Sequence, residues 1–304
     1  MKPLTAAKKA FLLTFLILVW GLSWPIYKVT LQYTPPVIFS GLRALVGGIL
    51  LGIALLPSLK KLNLKKNWAV YSISAFFNVA LFFGMQTVGL NYLPEGLFTV
   101  LVYVQPVLIG LFSWWWLGEK MTVRKIGGLI LGFIGVVIIS IGGLTGHVSV
   151  LGIVLALATA LSWAIGVVYV KKVSNRVDPY WLVAMQSALG GLVMTAVGCG
   201  YEHVSSITWN GLFLSGLAYG AILGIPAAWL AYITLINAGE ASRVAAFTFL
   251  VPLVAVLSGT LLLHEPLTVS LIVGLIAIVS GILLVNRSPK PVPNTKEKSV
   301  GQGS

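Results

Sequence analysis

One charged residue stands inside an otherwise apolar run: Arg43, flanked by Phe39, Leu42, Leu45 and Val46. If that run crosses a bilayer, a mid-helix arginine costs at least about 2.5 kcal/mol unless water, a carboxylate or carbonyl oxygens receive it. Arg43 therefore either contacts an anionic group of a ligand in a wet cavity, or forms a structural ion pair, or snorkels to the surface. Asn78, Gln86, Gln105 and Gln186 fall in similar runs and can hydrogen-bond to a ligand or from helix to helix. Trp24, Tyr103, Trp163, Trp229, Tyr232 and Phe249 supply aromatic surface that can wall a cavity or, for the tryptophans, anchor at an interface. Trp114, Trp115 and Trp116 lie near the end of a run, where an interfacial belt accounts for them.

Catalytic constellations are missing from the same runs. His147, His203 and His264 lie between them, without metal-ligand spacing, and His264-Glu265 has no second histidine four residues on. No run carries an Asp or Glu pair for acid–base work. Cys199 is the one cysteine, so no internal disulfide forms. There is no phosphate-binding glycine loop of the Walker type. No enzyme, metal site or cofactor is expected, and ATP is not the direct driver of whatever the chain does. Filter loops and rings of charge, which would mark a channel, are not legible either.

The elements that must position these residues are set by solvent. The 304 residues are 58% hydrophobic and 9% charged, and the mean hydropathy is +0.98. A soluble domain carries about a quarter charged residues, so the polar surface here is too small to face water. A bilayer-spanning helix needs roughly 20 mostly apolar residues. Polar punctuation yields ten such segments, near 9–29, 36–57, 68–89, 95–117, 124–143, 149–171, 179–200, 211–236, 241–263 and 268–286. The first has no small-residue cleavage site before Lys28 and reads as a retained helix. Residues 142–147 make the natural turn in the charge-free stretch between Lys125 and Lys171. The tail 287–304 is polar and is expected to be disordered and cytoplasmic.

The net charge of +13 is topogenic. Its lysines and arginines cluster between apolar runs, not along one face that could track nucleic acid. With the N-terminus in the cytoplasm, eighteen of the twenty fall on the cytoplasmic side, leaving only Lys28 outside and Arg43 within a helix. That split follows the positive-inside rule. The expectation is a multi-pass protein of the cell (plasma) membrane, with both termini cytoplasmic and the lipid bilayer as its partner.

Internal similarity organises the ten segments. Residues 106–135 and 252–281 align without a gap, matching Pro106 to Pro252, Glu119 to Glu265, Gly128 to Gly274 and Gly135 to Gly281. Leu22-Ser23-Trp24 matches Leu161-Ser162-Trp163, and Pro36, Gly47 and Gly48 match Pro179, Gly190 and Gly191. Trp68 matches Trp209, Tyr103 matches Phe249, and Arg43 is paired with the neutral Gln186. Five helices per copy is an odd number, so the second copy enters the membrane from the opposite side. The predicted fold class is an all-α integral membrane protein of ten transmembrane helices in two inverted five-helix repeats, 9–143 and 149–286. Pro106 and Pro252 each remove a backbone donor inside a helix, giving a kink that shapes a cavity, acts as a hinge, or is static packing. Glu119 and Glu265 precede helices five and ten, and Glu95 starts helix four. There a carboxylate favours the helix dipole, and capping is expected before proton coupling.

These paired features resemble the drug/metabolite transporter superfamily, and within it the ten-helix EamA-type exporter branch. The resemblance rests on Leu-Ser-Trp in the first helix of each half, the proline of the fourth helix, and the segments from Leu117-Gly118-Glu119 and Leu263-His264-Glu265 through their spaced glycines. His264 departs from the glycine at the matched position 118. The resemblance covers about residues 8–287. It implies a secondary transporter exporting small metabolites, often amino acids or related compounds, without ATP hydrolysis. Alternating access is reversible, so an importer of a small metabolite stays open as the alternative, as does a non-transporting membrane protein. Protons are a compatible coupling ion, though no buried acidic relay is legible. Substrate identity and oligomeric state are not read from the sequence.

Overall fold

The computed structural model describes residues 4–93, 95–140, 149–263 and 269–287. The predicted turn at 142–147, His147, His264, Glu265 and the tail from 288 lie outside the described residues. Among those described there are helices and no strand, as lipid demands, because a helix satisfies its backbone groups within one segment. In chain order they are α1 (Ala6–Thr30), α2 (Pro36–Ala54), α3 (Leu64–Gly89), α4 (Glu95–Val102 and Gln105–Leu117), α5 (Val123–Ser140), α6 (Val150–Val173), α7 (Pro179–Tyr201), α8 (Gly211–Ala238), α9 (Ala241–Phe247 and Leu250–Leu263) and α10 (Val269–Asn286). Among the described residues, eight helices have the length and apolar composition to cross a membrane, and Ala241–Ala255 and Ile272–Asn286 are shorter apolar helices.

Local chemistry explains the helix starts. Thr5 accepts from the Lys8 amide, Asp178 from Tyr180 and Trp181, and Asn210 from Phe213, each filling orphan donors of a first turn. Pro36 and Pro179 occupy first-turn positions, where no amide hydrogen is missed. At the far end of α4, Gly118 adopts a left-handed φ of 67°, which lets both its amide and that of Glu119 reach the Ser113 carbonyl.

The two prolines expected to kink helix interiors act differently. The chain breaks its helix at Tyr103-Val104 and at Thr248-Phe249, so Pro106 and Pro252 lie in the first turn of a new helical piece. A proline ring disfavours helical geometry in the residue before it and offers no donor to the turn before. Two helices instead carry a π-helical turn, Phe76–Leu81 in α3 and Gly220–Ala227 in α8. Such turns widen the backbone and recur at functional positions.

Small residues bring the longest interfaces together, α2 on α7 and α5 on α10. A Cβ on Gly48 would lie 2.3 Å from the Ala188 nitrogen, and one on Gly191 would lie 2.3 Å from the Leu45 nitrogen. On the other interface, a Cβ on Gly128 would meet the Gly281 carbonyl oxygen at 2.6 Å, and one on Gly135 the Gly274 oxygen at 2.8 Å. Large apolar side chains such as Phe11, Trp115, Ile222, Leu261 and Ile276 point away from the protein. Lipid solvates them, so the helices need not be amphipathic.

Candidate functional site

Four aromatic side chains from three other helices converge around Trp163 of α6. Its ring centroid is 4.4 Å from that of Phe82 (α3), 4.8 Å from Trp229 (α8) and 5.6 Å from Trp20 (α1), with Tyr232 (α8) at 6.1 Å. The rings are tilted or edge-on, the arrangement that aromatic quadrupoles prefer. Trp20 also donates its indole N–H to the Gly224 carbonyl at 3.2 Å, within the π-helical turn of α8. The Trp163 indole nitrogen and the Tyr232 hydroxyl are both buried and face one another, with no other partner among the described residues.

Trp163, Trp229 and Tyr232, all legible as candidates, are thus brought together. Trp24 is not with them: it is half-buried and makes no ring contact among the described residues. The tryptophan of α1 that reaches Trp163 is Trp20, one helical turn earlier. Sequence reasoning passed over it because it has no tryptophan at its matched position. Its only signal was its distance of one turn from Trp24.

Arg43 lies on α2, away from this cluster but joined to it by rings. Its guanidinium carbon sits 4.5 Å from the Tyr27 ring centroid, 4.6 Å from Phe83 and 5.8 Å from Phe39. Phe83 touches Phe82 at 4.9 Å, and Phe82 touches Trp163. The Arg43 Nε and the Tyr27 hydroxyl are buried without hydrogen-bond partners. Both side chains pack on the π-helical turn of α8, where a Cβ on Gly220 would lie 3.1 Å from Arg43 Cβ and Cδ and from Tyr27 Oη. Gly220 and Gly224 make that approach feasible. The sequence did not single out Tyr27 or Phe83.

Gln186, matched to Arg43, occupies the corresponding place on α7 with different chemistry. Its Oε1 accepts from Ser74 Oγ at 2.6 Å and from Asn78 Nδ2 at 3.4 Å, both on α3. Asn78 also donates to Ser74 at 3.2 Å and stands in the π-helical turn of α3. All three are fully buried, and a Cβ on Gly166 would lie 2.0 Å from Asn78 Oδ1. This is a packed interhelical knot. Arg43 of α2, packed against α8, and Gln186 of α7, packed against α3, therefore face the two π-helical turns in equivalent fashion.

The other candidates are dispersed. Tyr103 and Phe249 share one apolar cluster with residues of α5 and α10, and Trp20 packs on its edge. Phe249 fills the space above Gly132, where a Cβ would come within 2.6 Å of its ring. Gln105 is buried beside Pro106 with its Oε1 unpartnered. Gln86 is half-buried, and its side chain makes no hydrogen bond among the described residues.

Charged side chains collect at one end instead. Glu119 accepts from the Ala241 amide at 2.6 Å, from the Ser242 amide at 3.3 Å and from the Ser242 hydroxyl. The helix it caps is therefore α9, across the protein, and not the α5 that follows it in sequence. Lys125, 4% exposed, bridges Glu119 at 3.8 Å and Glu240 at 3.1 Å, and Glu240 also pairs with Arg243. Lys171 of α6 donates to the Ile236 and Gly239 carbonyls. Glu202 makes a similar cap elsewhere, accepting from Val37 at 3.0 Å and Ile38 at 2.8 Å at the start of α2. No group of three or more His, Cys, Asp or Glu side chains suited to a metal occurs among the described residues.

A profile of the EamA-like transporter family matches the chain twice, over residues 8–141 and 150–287. The chain belongs to that family. Like other EamA-like proteins it is a multi-pass membrane transporter. It is 49% identical over 290 residues to the uncharacterized transporter YvbV of Bacillus subtilis (strain 168), with 95% of each chain covered. It is 29% identical over 276 residues to a probable amino-acid metabolite efflux pump of Escherichia coli (strain K12), covering 86% of this chain and 89% of that one. A solved crystal structure with 20% sequence identity superposes with a TM-score of 0.80, over 93% of this chain and 97% of the other, and shows the same fold.

Proposed function

We propose that this EamA-like protein is a secondary transporter of the cell membrane that exports small metabolites, such as amino acids or related compounds, by alternating access. In this reading ten transmembrane helices form two inverted five-helix repeats, 9–143 and 149–286, with both termini cytoplasmic. The observation that carries the reading is an exchange of contacts. Gly48 meets Ala188 while Gly191 meets Leu45, and these are matched positions with their roles swapped. The same holds on α5 and α10: Val285 packs over Gly128 and Ile139 over Gly274. At the third interface Gly47 meets Ala221 of α8 while Gly190 meets Val79 of α3. Two halves related in this way can trade conformations, and a site between them then opens to alternate sides.

The ring cluster around Trp163, with Trp229 and Tyr232, is the wall of that site, and Trp20 joins it in place of Trp24. Arg43 and Gln186 serve as its two polar flanks, with Asn78 held against Gln186. Pro106 and Pro252, each just after a helix break, are the hinge positions. The Glu119–Lys125–Glu240 network closes the cytoplasmic end.

The test is the metabolite content of medium around cells overproducing the protein, compared with cells making equal amounts of Trp163→Ala. Accumulation of an amino acid or related compound outside only with the unaltered protein is the expected result. Greater isotope uptake with an unchanged medium would reassign the protein as an importer. Equal accumulation with Trp163→Ala would remove the transport site from the Trp163 cluster, and no change in either readout would overturn the transport reading.

A further inference from the structure

Arg43 is 8% exposed, and among the described residues it forms no hydrogen bond and no ion pair. The four carboxylates with described side chains are all engaged at helix ends: Glu119 on α9, Glu202 on α2, Asp178 on α7 with Lys61, and Glu240 with Lys125 and Arg243. The rings of Tyr27, Phe83 and Phe39 meet the guanidinium through their π faces. Such faces attract the charge but accept none of the five N–H bonds directed in the guanidinium plane. What those donors match is a planar anion, bound bidentately. The Tyr27 hydroxyl is a second unmet buried donor, and both side chains converge on the Gly220 surface of α8. No described acid stands there to receive an ammonium group. From Phe83 the aromatic surface runs through Phe82 to Trp163, and that apolar surface is what the body of a bound anion would meet.

We propose that Arg43, with the Tyr27 hydroxyl, binds the carboxylate of a small organic monoanion with an apolar body. This rests on the transporter reading and narrows it, within amino acids and related compounds, to the related acids that lack the ammonium group. Phe83 and the Tyr27 ring are positioning groups that hold the guanidinium.

The full-length protein in lipid nanodiscs is unfolded thermally at constant ionic strength with phenylacetate, with its uncharged isostere phenylacetamide, and with the zwitterion phenylalanine. Phenylacetate is expected to raise Tm, and the amide to leave it unchanged. Arg43→Gln is expected to weaken phenylacetate binding about 10- to 100-fold, the worth of a charge-assisted pair. Tyr27→Phe, which keeps the ring and removes the donor, is expected to weaken it several-fold. Equal stabilisation by the amide, none by phenylacetate, tighter binding of phenylalanine, or unchanged affinity in Arg43→Gln would each overturn the site. The acid–amide comparison uses unaltered protein and decides the matter even if the Arg43 variant does not fold. Export that persists without anion binding would overturn this site alone. Anion binding without any transport would leave the site standing and remove the export reading.

Discussion

Trp20 and Trp163 meet edge to face, their ring centroids 5.6 Å apart, joining the first helix of one half of the chain to the first helix of the other. Trp163 is the shared member of this cluster: four rings contact it, and 4% of its own surface is exposed. Trp163→Ala should therefore cost stability on the scale of a large core truncation, about 3–5 kcal/mol. Trp24→Ala, at a half-buried position without ring partners, should cost well under half as much. Thermal unfolding of the two purified variants in the same detergent checks the contrast.

Gly48→Leu should prevent α2 from docking on α7, because even a Cβ there would lie 2.3 Å from backbone nitrogen. Gly52→Leu, one turn along the same helix with nothing within 4 Å of a Cβ, is the matched control. The expected result is loss of the monodisperse peak in size-exclusion chromatography for the first variant and its retention for the second.

Gly166→Ala should drive a methyl group into Asn78, since a Cβ would stand 2.0 Å from its Oδ1. The expected loss is about 1–3 kcal/mol, the range for overpacking. Asn78→Ala removes the obstacle together with its bonds to Ser74 and Gln186. The double variant should then be more stable than the sum of the two single losses predicts. A melting-temperature cycle over the four proteins measures that coupling.

Glu119→Ala should leave the first amides of α9 uncapped and remove one partner of the buried Lys125. Losing one member of a buried charge network costs about 3–5 kcal/mol. Local opening should follow at Ala241 and Ser242. Thiol labelling of Ala241→Cys, in a background where the exposed Cys199 is replaced by alanine, should be faster when Glu119 is absent. Equal labelling rates would show that the carboxylate does not hold this end shut.

The helices were legible because their cause is local: apolar runs lie between polar punctuation, eight of the described helices being long and apolar enough to cross lipid, and Asp178-Pro179 or Pro35-Pro36 marks a start within a few residues. The duplication was legible for the same reason, since matched residues remain matched however the chain is folded. Of the candidate site, Trp163, Trp229 and Tyr232 were legible as candidates by residue type, and it is the structure that brings their rings together. What could not be read was which matched residues would touch. Trp24 corresponds to Trp163 yet lies one turn, about 6 Å at 1.5 Å per residue, beyond the tryptophan that reaches it. Arg43 and Gln186 correspond too, but one meets a cage of rings and the other a serine and an asparagine.

By itself, then, the sequence determined the solvent, the helical class and the presence of two similar halves, because these depend on composition and on matched residues along the chain. Only the tertiary structure decided that Glu119 caps α9 and not α5, that Glu202 caps α2, and that Tyr27 and Phe83 enclose Arg43. Those partners are separated by 122, 165, 16 and 40 positions along the chain. Their meeting is set by how far each helix is rotated and slid against its neighbour, and that is fixed by side-chain packing across the whole bundle, which no local pattern encodes.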